Sequence, residues 1–233
     1  MARQQKRSRR GDDPLTPERI IEAALRISDT EADLDRLTVR RLATELGVGT
    51  MTLYSYFRSK EEILDGMADH VLGRMRLPAE PDAGPAEALR TVGHAFLAMM
   101  REHPSVVRLF STRVTDSPPA LRGAMEAVLR RLVDAGIPGP LAVHCYGFLI
   151  TYAIGFASYQ TPRQWGRLPA DEGAEQRRQR SHFYAGLPIE EFPLVVELAD
   201  EVAELASDAQ FAAGLETYID STVRVLDRDA AQA

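Results

Sequence analysis

The sequence predicts an all-α protein, with a small N-terminal bundle of three helices and a larger C-terminal helical bundle. Three observations carry this. Apolar residues recur at three- and four-residue spacing through most of the chain, the period of a helix buried on one face. No segment sustains the apolar–polar alternation of a half-buried strand. The periodic segments also open at Ser, Thr or Pro and close at Gly or Pro, where helices are capped and broken.

In chain order, residues 1–14 (MARQQKRSRRGDDP) hold five basic residues in the first ten and no apolar period, and read as a disordered arm. Thr16 as N-cap and Pro17 at the first helical position open a first helix carrying Ile20, Ala23, Ala24 and Ile27. A loop through Asp33 to Leu37 follows. Thr38 caps a second helix, VRRLATEL, which Gly47 ends by taking a left-handed conformation. Thr50 is expected to cap a third, MTLYSYF. Ser59 with Glu62 forms a capping box for a fourth, which carries Ile63, Leu64, Met67 and Val71. Beyond the break LPAEPDAGP, helical periods run over 86–102, 105–114, 119–135, 140–160, 193–206 and 208–227. Residues 161–191 lack one and read as a long polar loop.

The composition narrows the class. At 233 residues and 45% hydrophobic content the chain can bury a sizeable core. Its single cysteine, Cys145, excludes an internal disulfide framework and points to a reducing, cytoplasmic setting. The basic first ten residues are not followed by an apolar run, so no signal peptide is read there. Residues 135–162 contain no Asp, Glu, Lys or Arg, but His144, Thr151 and several tyrosines mark a buried core or interface helix, and no membrane partner is expected. The net charge of −6 is uneven: residues 1–60 hold 12 basic against 9 acidic residues, while the remainder is acidic. Only the N-terminal end is suited to a polyanion. His144 and Cys145 are adjacent and so point about 100° apart on a helix, which excludes them as a catalytic pair. No paired carboxylates, nucleophile motif or metal-ligand spacing stands out, and neither catalysis nor a metal or other cofactor is expected.

Val39 to Tyr56 reads as helix, turn, helix. Ala43 is small where two steeply crossed helices meet, Gly47 supplies the turn, and Val48 and Leu53 plug a core backed by Leu42 and Leu46. This is the spacing of a DNA-binding helix-turn-helix. The hydroxyl-rich third helix then acquires a purpose. Thr50, Met51 and Thr52 at its start suit base edges in the major groove, Arg40 suits a guanine edge, and Tyr54, Tyr56 and Lys60 suit phosphates.

The stretch LTVRRLATELGVGTMTLYSYFRSKEEILDGMADHVL, residues 37–72, resembles the DNA-binding signature of the TetR family of bacterial transcriptional repressors. GLPIEEFPLVVELAD and FAAGLETYID resemble the C-terminal domain of its tetracycline-repressor-like branch. The resemblance implies base contacts by Arg40, Thr50, Met51 and Thr52, and backbone contacts by Thr38, Tyr54, Tyr56 and Lys60. It also implies a division into the arm at 1–14, a helix-turn-helix domain at 15–60 and a ligand-binding and dimerisation domain at 61–228. Tetracycline repressors usually carry a polar amide at the place of Thr50 and proline at that of Met51, so their operator is not implied.

In the C-terminal part, Phe96, Met99, Met100 and His103 share one helical face, with Phe110 and Trp165 further along. Tyr146, Leu149, Ala153 and Phe156 form one stripe of the 141–159 segment, and Cys145, Phe148, Tyr152, Gly155 and Tyr159 another. One stripe is expected to line a cavity and the other to meet a second subunit. Phe96, Met99, Met100, His103, Phe110, Tyr146, Leu149 and Trp165 are thus the candidate ligand pocket. The expected protein is a homodimer that binds a palindromic double-stranded DNA operator, most simply as a repressor, and is released by a small-molecule effector. The alternative is an all-α carrier or enzyme with a vestigial DNA-binding head.

Overall fold

Thr16 opens the first helix as its position requires: its hydroxyl oxygen accepts the Arg19 amide at 3.2 Å, and Pro17 fills the first helical position. The structure, a computed structural model, describes residues 14–31, 33–163 and 170–232. The N-terminal head consists of α1 (Pro17–Glu31), α2 (Val39–Leu46) and α3 (Thr50–Tyr54). The body follows with α4 (Lys60–Gly73), α5 (Pro85–Glu102) and α6 (Val107–Thr112). Then come α7 (Pro118–Ala120), a π-helical stretch (Leu121–Glu126), α8 (Ala127–Asp134) and the long α9 (Gly139–Gln160). The chain ends with α10 (Ala170–Ala185), α11 (Pro193–Glu197), α12 (Ala199–Ala203) and α13 (Asp208–Gln232). No strand occurs among the described residues, so the protein is all-α with an N-terminal helix-turn-helix and a C-terminal helical bundle.

Several elements differ from the sequence expectation. The loop between α1 and α2 contains a 3-10 turn, Leu34–Arg36, held by the Asp33 carboxylate accepting the Asp35 amide at 2.9 Å. Thr50 does not cap α3. Gly49, in extended conformation and without a side chain to offer, takes that place, and Thr50 becomes the first helical residue. The expected loop at 161–191 contains the sixteen-residue α10. Its Glu, Gln, Arg and Ala residues are strong helix formers that need no apolar period. Glu175 accepts from Arg178 and Gln179 along the helix, and Arg177 pairs with Glu204 at 3.2 Å beyond α12. The single helix expected over 193–206 is broken at Leu198 into α11 and α12.

One apolar cluster runs from Ile20 in α1 to Ile219 in α13, so head and body share a continuous core. The fourth helix is its bridge: Ile63, Leu64, Met67, Ala68, Val71 and Leu72 are all buried, and it packs on α1 at one side and on α6 to α7 at the other. Helix α9 buries Ala142, Cys145, Leu149, Ala153, Phe156 and Ala157 against α5, α6 and α8. Cys145 therefore belongs to the buried side of α9, not to the outer stripe. Of the rest of that stripe, Phe148, Gly155 and Tyr159 are exposed, as is Val143 beside them, whereas Tyr152 is half-buried and stacks on Phe211. α9 is long and apolar enough to cross a membrane by length and composition. Its core-facing side is nevertheless occupied by other helices, and its buried Gln160 donates to the Ala206 carbonyl at 2.7 Å while accepting from Arg101.

Candidate nucleic-acid interface and ligand cavity

The head is built around Leu42, Ala43 and Leu53, all buried in the cluster that α1 shares. Thr38 starts α2 by accepting the Arg41 amide at 3.1 Å, which leaves its own hydroxyl proton available to a phosphate. Gly47 ends α2 at φ +68°, and the following Val48 amide returns to the Ala43 carbonyl at 3.0 Å. The chain then re-enters a helix at Thr50, only three residues after Gly47. This tight return sets α3 across α2 and turns Leu53 inward. It leaves Thr50, Met51, Thr52 and Tyr54 outward.

Met51 is 77% exposed, beside a Leu53 that is 1% exposed. Among the described residues, the side chains of Arg40, Thr50, Thr52 and Tyr54 make no internal hydrogen bond, and all are exposed. The head thus presents one guanidinium, three hydroxyls and one thioether on a continuous pair of elements. Those are the groups that bond or pack on base edges and phosphates. Lys60 is half-buried at the first position of α4, behind the Ser59 cap, whose hydroxyl accepts the Glu62 amide at 3.2 Å. Tyr56 is exposed, but its hydroxyl donates to the Leu15 carbonyl at 2.9 Å. A phosphate can only accept, so this side chain is placed as a brace for the start of α1. It reaches a phosphate only by giving up that bond.

The candidate ligand-pocket residues are divided by the structure. Phe96, Met100 and Leu149 are closed into the core, and Phe96 meets Tyr146 edge to face at 5.7 Å between ring centres. Phe110 and Tyr146 are half-buried against the same cluster. These apolar groups fill one another's space, as close-packed interiors do. Trp165 lies outside the described residues. Met99 and His103 instead line a cavity of about 730 Å³ between α1, α4 and α5, where head meets body.

The sequence did not disclose the rest of that cavity. Glu22, Leu25, Arg26, Asp29 and Thr30 come from α1; His70, Val71, Arg74, Met75 and Arg76 from α4 and just beyond it. Asp29 accepts from Ser105 through both its amide, at 3.1 Å, and its hydroxyl, at 2.5 Å; its other oxygen lies 2.9 Å from His103 Nδ1. The partners are 74 and 76 residues apart, so no local spacing could signal them. Arg74 pairs with Glu22 at 3.0 Å. Burial, and after it the Arg74 charge, holds the His70 imidazole below its ordinary pKa.

A fold of this kind, with a helix-turn-helix head on a helical body, defines a class of DNA-binding regulators, and comparison with known proteins gives the family. Residues 20–67 match the bacterial regulatory proteins of the tetR family, and residues 77–222 match the tetracyclin repressor-like C-terminal domain. The chain belongs to the TetR family. It is 38% identical over 161 residues to the HTH-type transcriptional repressor DrrR1 of Streptomyces coeruleorubidus, covering 68% of this chain. The matched region spans 59% of DrrR1's length, and 52% of that of the regulator Mb1388c of Mycobacterium bovis. Among solved structures, ActR of Streptomyces coelicolor in complex with actinorhodin superposes with a TM-score of 0.72 at 33% identity, covering 90% of this chain and 96% of that one. ActR with (S)-DNPA gives a TM-score of 0.73 at 32% identity, covering 91% and 98%.

Proposed function

We propose that the protein is a ligand-responsive transcriptional repressor that binds a palindromic operator as a homodimer. The exposed, unpartnered face formed by Arg40, Thr50, Met51, Thr52 and Tyr54 is the observation that carries this reading. Residues 15–60 are the DNA-binding unit and 61–228 the ligand-binding and dimerisation unit, with the basic arm at 1–14 ahead of them. Arg40, Thr50, Met51 and Thr52 read bases; Thr38, Tyr54 and Lys60 hold phosphates, and Tyr56 adds to them when released from Leu15.

Pairing of two copies follows from the outer face of α9 and from α13. Val143, Phe148 and Tyr159 on α9 and Val225 on α13 are exposed apolar groups on neighbouring helices, and Phe148 stacks on Tyr218 at 3.6 Å between ring centres. A symmetric contact there sets two heads for two half-sites, which such dimers read one DNA turn apart or at multiples of it. A ligand that prefers the dimer with its heads mis-spaced shifts the population away from DNA, typically by about 1–3 kcal/mol of coupling per site. The ligand-bound ActR structures and the repressor relatives support this sense of regulation. A carrier or enzyme with an idle head would instead bind no duplex at low salt, so titration of the purified protein with selected duplex DNA separates the two.

A further inference from the structure

We infer that the cavity between α1, α4 and α5 is a binding site for a small amphipathic anion, held with its apolar part on Leu25, Val71 and Met99 and its charge near Arg26 and Arg76. The site itself stands on the geometry; its effect on DNA rests on the function proposed above. α1 contributes Glu22, Leu25, Arg26, Asp29 and Thr30, and α5 contributes Ala95, Ala98, Met99, Glu102 and His103. Both sets follow the spacing of one helix face, so two whole faces turn toward the space. Polar bridges close it at two places. Glu22 with Arg74 and Asp29 with His103 lie seven residues apart on α1, about 10 Å along a helix. Between them Leu25, Val71 and Met99 supply the apolar part of a mixed lining. A volume of about 730 Å³ falls within the usual range of small-molecule sites.

The charges decide the class of ligand. Arg74 is taken by Glu22, and Asp29 is taken by His103 and Ser105. That leaves Arg26 and Arg76 as guanidinium groups without a partner among the described residues, against one unpaired carboxylate, Glu102. The His70 ring likewise makes no hydrogen bond among the described residues, and it opens to the cavity. An anion with a second acceptor, such as a carbonyl or phenolate oxygen, meets all three; a cation meets two positive charges against the single carboxylate of Glu102. Because α1 belongs to the head and α5 to the body, an occupant that fits one head orientation better biases that orientation.

The test uses 2-naphthoate and 2-naphthylmethylamine, which share a ring system and carry opposite charge, titrated calorimetrically into the full chain without DNA. Saturable binding of naphthoate, with the amine at least about tenfold weaker, is expected. The double variant Arg26→Gln, Arg76→Gln should weaken naphthoate at least about tenfold while the circular dichroism is unchanged. Ala98→Trp, at an exposed position of the α5 face, should block the space and abolish binding. Absence of naphthoate binding, equal binding of both ions, or binding that neither variant disturbs would overturn the site. Operator affinity is then measured with and without naphthoate. If naphthoate binds but leaves that affinity unchanged, the site stands and its regulatory effect is overturned. If no operator binds at all, the proposed function fails while the titration still decides the site.

Discussion

Met51 and Leu53 stand two residues apart on a single turn and have opposite fates, one 77% exposed and the other 1%. Water gives no reason to expose a thioether on a face of hydroxyls, whereas a thymine methyl does. Arg40→Ala should relax preference at one position per half-site, costing about 1–3 kcal/mol there. Tyr54→Phe should weaken all sites alike, and binding to a panel of mutated operators distinguishes the two. His70 allows a pH prediction. Its folded pKa lies below the ordinary 6.5, so the folded state binds fewer protons than the unfolded chain. Its contribution to stability is full above that value and is lost as pH falls through the folded pKa. His70→Asn should flatten this part of the acid-side loss, measured by chemical denaturation across pH 5–7. At this scale the turn was legible because Ala43, Gly47 and Leu53 act through neighbours in sequence. Asp29 was not, because it acts through His103 and Ser105 on a distant helix.

The elements tell the same story at longer range. Helix existence was legible from periodicity over almost the whole body, because one-sided burial writes itself into the order of apolar residues. The π-helical stretch Leu121–Glu126 was not, since one added residue per turn leaves the 119–135 pattern looking like a plain helix. That stretch carries Gly123, where an added Cβ would meet the Gly73 backbone at 2.5–2.6 Å. The two backbones touch where α4 ends, and neither side is a flexible side chain that could give way. Gly123→Ala should therefore destabilise by about 1–3 kcal/mol, as overpacking does, and lower the thermal midpoint. An unchanged midpoint would contradict this backbone contact. α10 was missed for the opposite reason. It is stabilised by its own side chains and a polar partner, so it has little apolar face to announce it.

For the whole molecule, the shared core means that the head does not hang from a linker. Asp29 with His103, Asp35 with Arg108 at 3.0 Å, and Asp65 with Arg113 tie α1, the 3-10 turn and α4 to the region around α6. The proposed dimer face offers its own check: Phe148→Glu places a charge on the outer stripe of α9 and should yield a folded monomer by sedimentation, with weakened operator binding. A variant that stays dimeric would move the interface elsewhere. Operator affinity should also fall with salt, by about 0.9 log unit per phosphate neutralised for each log unit of salt. The first measurement to make is selection of the purified protein on random duplex DNA, followed by sequencing of the bound fraction. Enrichment of an inverted repeat is the expected result and establishes a symmetric operator reader. No enrichment from protein shown to be folded and dimeric would contradict it.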